Sequence, residues 1–306
     1  MLDTVRMMVT IHPALINWSL FKNCKDYSMW CQLDNIMFRY YPVSNCLLIN
    51  TNAHKVLEKD DIDLNDCQDY IDKVKKVTDK VLLTTNYVLE ANRTDYYVDV
   101  KLNPDEKRIF IKLLHKHDLS YRYAKSKEIY DTSVHLNNKS GSFNVNIYDK
   151  FSESGLEKFE GIIRFEIQNK KALIKRNLEK YGIPKDLHEY WTKSSFYEWY
   201  IKTLEGYLFT GDYYKINKVK DIVMNSSYGK VKKENIIKFV EMVNLVGMEN
   251  VKKQINRNTI KEYISILNEL GVSCYCIDDN ETIDFMENML KRIIRISNEK
   301  YFSIND

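Results

Sequence analysis

Three short runs set charged or phenolic side chains inside otherwise apolar stretches: Arg93-Thr94-Asp95, Tyr148-Asp149-Lys150 and Arg164-Phe165-Glu166. Alternate residues of a strand share a face, so Arg93 projects with Asp95, Tyr148 with Lys150, and Arg164 with Glu166. If the three strands are neighbours in one sheet, one face gathers two carboxylates, two arginines, a lysine and a phenol. That set suits a phosphodiester. Asp95 and Glu166 offer hard oxygen ligands for Mg²⁺ or Mn²⁺. Such an ion polarises a phosphoryl oxygen, and arginines grip phosphate in a fork. Tyr148 is the candidate nucleophile. A phenol of pKa near 10 is about three units from ionisation at pH 7, a cost of roughly 4 kcal/mol. A nearby Lys150 ammonium and a dication would offset most of it. The same patterns also arise as plain same-face ion pairs, and a chain with 22 tyrosines sets some beside charges by chance.

These residues need a sheet to hold them. TVRMMVTIH, IMFRYYPV and CLLINTN read as strands, rich in apolar, β-branched and aromatic residues. Apolar residues at helical spacing (Tyr70, Val74, Val77, Val81) predict a helix over 66–83. VLEANRTDYYVDVKL alternates as a strand with one wet face, and Asn103-Pro104 opens a helix to about Asp118. YRYAKSKEIYDTSVHL reads as a hairpin, GSFNVNIYDKF and EGIIRFEIQN as further strands. Past Asn169 the pattern is helical, apart from a short strand expected at SCYCI. The expected fold is α+β: a central, mostly antiparallel sheet flanked by helices, then a helical C-terminal region. A boundary falls near Lys215–Lys230, dividing a catalytic part, 1–212, from a helical DNA-binding part, 213–306.

The chain has 306 residues and a net charge of +3, which by itself says little about partners. The distribution says more. From Tyr213 to Leu270 eleven Lys/Arg face six Asp/Glu, and Lys170, Lys171, Lys175 and Arg176 cluster at a helix start. Basic patches suit phosphate backbones, although each could equally be a solvated helix face. Six cysteines form no CxxC pair, so neither a zinc ribbon nor a disulfide framework is indicated. No signal peptide is visible and no apolar run reaches the ~18 residues of a membrane span, so the expected location is the cytoplasm.

In the order of its motifs the chain resembles the gene II family of rolling-circle replication initiators of filamentous phages and related plasmids. MLDTVRMMV is similar to the family's start, and TNAHKVLEKDDIDL to the segment before its first long helix. NRTDYYVDV resembles the strand with an R-x-D signature. NVNIYDKFSE resembles the catalytic-tyrosine strand, its Y-x-K-x-x-E spacing met by Tyr148, Lys150 and Glu153. GIIRFEIQNKKALIKRNLEKYGIPKDL resembles the R-F-E strand and the helix and G-[IL]-P turn after it. The resemblance implies a site-specific DNA nickase and strand transferase acting at a replication origin. Tyr148 would form a 5′-phosphotyrosyl link and leave a 3′-hydroxyl for a host polymerase, with a host helicase as a further partner. Glu153 could activate water for termination, or simply pair with Lys150. The His-hydrophobic-His metal motif of many such initiators is missing. His115-Lys116-His117 reads as surface, and His12, His54, His135 and His188 as isolated structural or surface residues.

KFVEMVNLVGMENVKKQINRNTIKEYISILNELGV has helix-turn-helix lengths, with helices expected over 234–246, 248–255 and 258–270. Arg257, Asn258 and Lys261 could reach bases or phosphates there, and Arg93, Arg164 and Lys170 could meet DNA on the sheet. The alternative is a helical hairpin packed on the core. A non-catalytic helix-turn-helix regulator is the rival function, and it leaves the Asp95, Tyr148 and Glu166 strands unexplained. A tyrosine recombinase would need an H-x-x-R element, and a helicase a GxxxxGK[ST] loop; neither occurs.

Overall fold

Alternating apolar and polar residues through the N-terminal half build one antiparallel sheet. The computed structural model describes residues 1–23, 28–116, 123–130, 132–138 and 140–302. The strands are β1 Leu2–Thr10, β2 Lys22–Asn23, β3 Met29–Leu33, β4 Ile36–Tyr41, β5 Cys46–Asn52, β6 Glu90–Lys101, β7 Tyr123–Tyr130, β8 Ser133–Asn138, β9 Phe143–Asp149 and β10 Ile162–Asn169. They form a ten-stranded sheet of order β2-β3-β4-β5-β1-β6-β10-β9-β8-β7. Each described pairing in it is antiparallel. The fold is therefore α+β, as expected. The expected hairpin is β7–β8. His117 lies outside the described residues.

Each central strand sorts its side chains by parity. On β10, Ile163, Phe165 and Ile167 enter the core, as do Val145 and Ile147 of β9 and Tyr96, Val98 and Val100 of β6. The helices Cys67–Val81 and Pro104–Lys116 bury their apolar stripes in the same core. Phe110 packs on Phe165 with ring centroids 5.6 Å apart, and the Tyr200 hydroxyl donates to the Phe165 carbonyl at 2.9 Å. The intervening residues of each strand are polar and look the other way. Gly161 sets the start of β10: its φ is +74°, and a Cβ there would lie 2.7 Å from the Leu102 carbonyl oxygen. A larger residue would be strained and would push β10 off β6.

The C-terminal region holds the helices Ile216–Met224, Lys230–Val246, Met248–Val251, Arg257–Glu269 and Met289–Tyr301. Two expectations need correction. The helix expected over 248–255 is one turn, because the N–H groups of Lys253 and Gln254 turn to the carbonyls of Asn250 and Val251, three residues back. SCYCI is not a strand. The side chain of Asn244 takes the Cys276 N–H at 2.8 Å and donates to the Cys274 carbonyl at 2.9 Å, standing in for a neighbouring strand. The small two-stranded pairing nearby is instead Tyr213–Tyr214 with Phe285–Met286.

One apolar core runs from the sheet into this region, joining Phe110 and Phe165 to Tyr213, Val243, Ile266 and Ile293. Arg292 pairs with Glu106 at 2.5 Å and Lys116 with Asp278 at 2.6 Å, both across the expected boundary. At Gly211 the backbone passes so close to Val272 that an added Cβ would lie 2.1 Å from its carbonyl oxygen.

Candidate active site

The registers of β6, β10 and β9 put the three runs side by side. Arg164 pairs with Asp99 on one side and Tyr148 on the other, Glu166 with Tyr97 and Asn146, and Gln168 with Asp95 and Asn144. Paired residues share a face, so Asp95, Tyr148, Arg164 and Glu166 gather on the polar face of the sheet, as expected.

Glu166 is the hub. Its Oε2 accepts the Tyr148 hydroxyl at 3.2 Å, and its Oε1 accepts Asn146 Nδ2 at 3.0 Å and Gln168 Nε2 at 2.7 Å. Asn146 Oδ1 lies 3.1 Å from His135 Nδ1. These groups open on a groove of about 470 Å³ lined by Ser133, His135, Asn146, Tyr148, Glu153 and Glu166, among others. Tyr148 is half-buried, while Glu166 is only 7 % exposed. A carboxylate so enclosed by donors is held in one rotamer, aimed at the phenol.

The phenol stays protonated. Burial, reinforced by the Glu166 carboxylate, raises the pKa of Tyr148 well above that of a free tyrosine. The expected help from Lys150 takes another form. Asp149 caps a new helix, Lys150–Ser154, its side chain accepting the Phe151 N–H at 3.1 Å. Lys150 therefore leaves the strand. Its ammonium pairs with Glu153 at 2.5 Å and lies 5.7 Å from the centroid of the Tyr148 ring, so it meets the ring and not a developing phenolate by way of a shared strand face. Glu153 is exposed at the groove's rim. Asp149 also takes Lys107 at 2.8 Å, and these contacts hold its carboxyl below the usual range against the opposing effect of burial.

Both arginines expected to grip phosphate are already engaged. Arg164 forks onto Asp99 at 2.7 and 2.8 Å and stacks over the Tyr97 ring at 4.1 Å. Arg93 forks onto Asp95, with Nε to Oδ1 at 2.7 Å. Asp95 is 1 % exposed, and burial lifts its pKa to about 7 despite that fork. With both oxygens taken by Arg93 it does not suit the divalent ion assigned to Asp95 and Glu166. Both Glu166 oxygens are likewise occupied by donors. Among the described residues no three His, Cys, Asp or Glu side chains cluster as a metal-binding set. The donor set does not fit a protein-held ion. Lys170 precedes the helix Lys171–Tyr181 beside Arg93, while Arg257 and Asn258 start the helix Arg257–Glu269, and they and Lys261 are exposed.

Several residues of this face escaped the sequence reading. His135 lines the groove. His54 Nε2 lies 2.7 Å from the buried Tyr97 hydroxyl, and its Nδ1 2.9 Å from the Lys59 carbonyl. Asp3 accepts from Asn52 Nδ2 at 2.8 Å and its charge bears on Tyr148, Asp95 and Arg164. Strand parity marks Asn146, Gln168 and Asp99 as facing with Tyr148, Glu166 and Asp95, but only the pairing register shows which meet.

No protein-family model and no curated protein matches the chain. A solved structure, a rolling circle replication initiator protein from Geobacillus stearothermophilus, aligns over 60 % of this chain and 79 % of its own at 13 % identity. Its TM-score is 0.35, and a likeness that slight carries no argument about fold or function.

Proposed function

We propose that this chain is a DNA strand-cleaving enzyme of the rolling-circle initiator kind, with Tyr148 as nucleophile and Glu166 as its proton acceptor. One observation carries the reading: a tyrosine hydroxyl donating to a fixed, donor-enclosed carboxylate in an open groove. A phenol with a raised pKa is a poor nucleophile unless its proton leaves as the bond forms. Glu166 Oε2 is placed to take that proton while the Tyr148 oxygen attacks phosphorus. The leaving group is the 3′-oxygen of the broken phosphodiester, and the product is a 5′-phosphotyrosyl bond. His135 lines the same groove, and the leaving 3′-oxygen takes up a proton from it or from water. The motif order that resembles the gene II family supports DNA as substrate. A role in replication and a specific origin belong to the same proposal and rest on that resemblance.

The test is incubation of the protein with supercoiled and single-stranded DNA, with and without Mg²⁺ or Mn²⁺, resolved on a denaturing gel. A covalent protein–DNA adduct mapping to Tyr148 supports the reading. Tight DNA binding with no cleavage and no adduct under any of these conditions would favour the non-catalytic regulator.

A further inference from the structure

The polar face extends beyond the groove. At its far end the register sets Arg6 of β1 directly opposite Arg93 of β6, and Asn50 of β5 opposite Arg6 on its other side. Directly paired like charges destabilise a sheet. Lys170, one residue beyond the Asn169–Thr94 pair, adds a third cation beside Arg93. Asp95, forked to Arg93, is the carboxylate that answers them. Among the described residues neither Arg6 nor Lys170 forms an ion pair, and the buried Nε of Arg6 has no hydrogen-bond partner. The buried Oδ1 of Asn50 is unpartnered too, so these neighbours do not satisfy each other. A buried donor left unmade is destabilising, because its lost hydration is not replaced. An anion would give the Arg6 Nε–H its missing acceptor and answer the facing cations, although it would not satisfy Asn50 Oδ1, itself an acceptor.

We infer that Arg6 and Lys170, flanked by the Asp95-paired Arg93, form a phosphate-binding subsite, separate from the Tyr148 groove, that holds a backbone phosphate of a single DNA strand lying along the polar face. The inference rests on the proposed reading of the groove for its ligand, and on the pairing of Arg6 with Arg93 for its location. Strand spacing and rise put the two sites roughly 20–25 Å apart, three strands across and about six residues along. A strand held at both points would span several nucleotides, with Gln168 and Asn144 between. The first N–H groups of the helix Lys171–Tyr181, which has no side-chain cap, adjoin the same corner.

Two measurements on the full chain test this without relying on cleavage. In phosphate-free buffer, inorganic pyrophosphate should raise the melting temperature of the wild type above a sodium chloride control of matched ionic strength. Arg6→Gln should lose that rise, while melting without ligand no lower than the wild type, since a like-charge pair is gone. Arg6→Lys should keep part of it. For an oligothymidylate, Arg6→Gln should flatten the slope of log affinity against log salt by about 0.7 and weaken binding about five-fold at 0.1 M salt. Lys170→Gln, at a partly exposed position, gives the same readout if Arg6→Gln does not fold. Equal pyrophosphate stabilisation of wild type and variants overturns the subsite. Pyrophosphate binding lost in the variants with oligothymidylate binding unchanged overturns the strand and leaves a site for a small phosphate ester. A chain that passes both tests yet forms no Tyr148 adduct would sink the cleavage reading alone.

Discussion

Tyr148 and Glu166 lie on adjacent strands, and the hydroxyl of one donates to Oε2 of the other at 3.2 Å. The closer cross-strand neighbour of Tyr148 is Arg164, but its guanidinium turns away onto Asp99. The phenol is thus left facing an acceptor. Tyr148→Phe should abolish cleavage and adduct while leaving single-strand affinity within a few-fold, since only the attacking oxygen is lost. Glu166→Gln should lower the single-turnover cleavage rate by about 10²–10⁴ with similarly small effects on binding. Undiminished cleavage by Glu166→Gln would remove it from proton transfer.

The Arg164–Asp99 fork carries a prediction about stability. Arg164 is 6 % exposed, and Asp99→Ala would leave that guanidinium without its bidentate partner. The expected loss in stability is on the order of 3 kcal/mol, read from the urea midpoint at constant m-value. A change below ~1 kcal/mol would mean that Asp3, or solvent, replaces Asp99 readily.

Asp95 predicts a pH dependence. Its folded pKa, about 7, stands above the unfolded value of 3.8, because burial favours the neutral acid. Between those values the folded state holds more protons, so this contribution is fully present below about pH 4 and fades as pH rises through 7. Asp95→Asn should flatten the stability profile over that window. An unchanged slope would show that Asp95 stays ionised with Arg93.

For the C-terminal helices we predict that Arg257→Ala with Lys261→Ala weakens duplex binding and makes its salt slope shallower by about one unit per lost phosphate. Cleavage of a single-stranded oligonucleotide should persist. Filter binding across a salt series, paired with the cleavage assay, checks both. Loss of both activities together would fit the shared core, with this region propping up the sheet and not serving duplex DNA.

Much of this was legible beforehand. Alternation marked β6, β9 and β10 and assigned Asp95, Tyr148 and Glu166 to one face, because parity is local. What cannot be read locally is which polar residues meet. Arg164 finds Asp99 and not phosphate, and Glu166 finds Asn146 and Gln168, through pairings of strands far apart in the chain. Lys150 failed for a local reason: Asp149 is a good helix cap, and it ended the strand one residue before the alternation pattern did. His54 and His135 carry no spacing signal, so only the fold brings them to Tyr97 and Asn146.

The strand order has a kinetic consequence. β2 to β5 form one run of neighbours and β7 to β10 another, and β6 is the link from the second run to β1 and the first. Each run can zip up from nearby chain, but joining them requires β6 to capture β1, from Leu2 against Tyr96, and β10, from Asn169 against Thr94. Those closures span long stretches of chain and are intrinsically slow. Refolding should therefore show a late step in which both halves already hold native-like hairpins but the groove and the Arg6 corner have not yet come onto one surface.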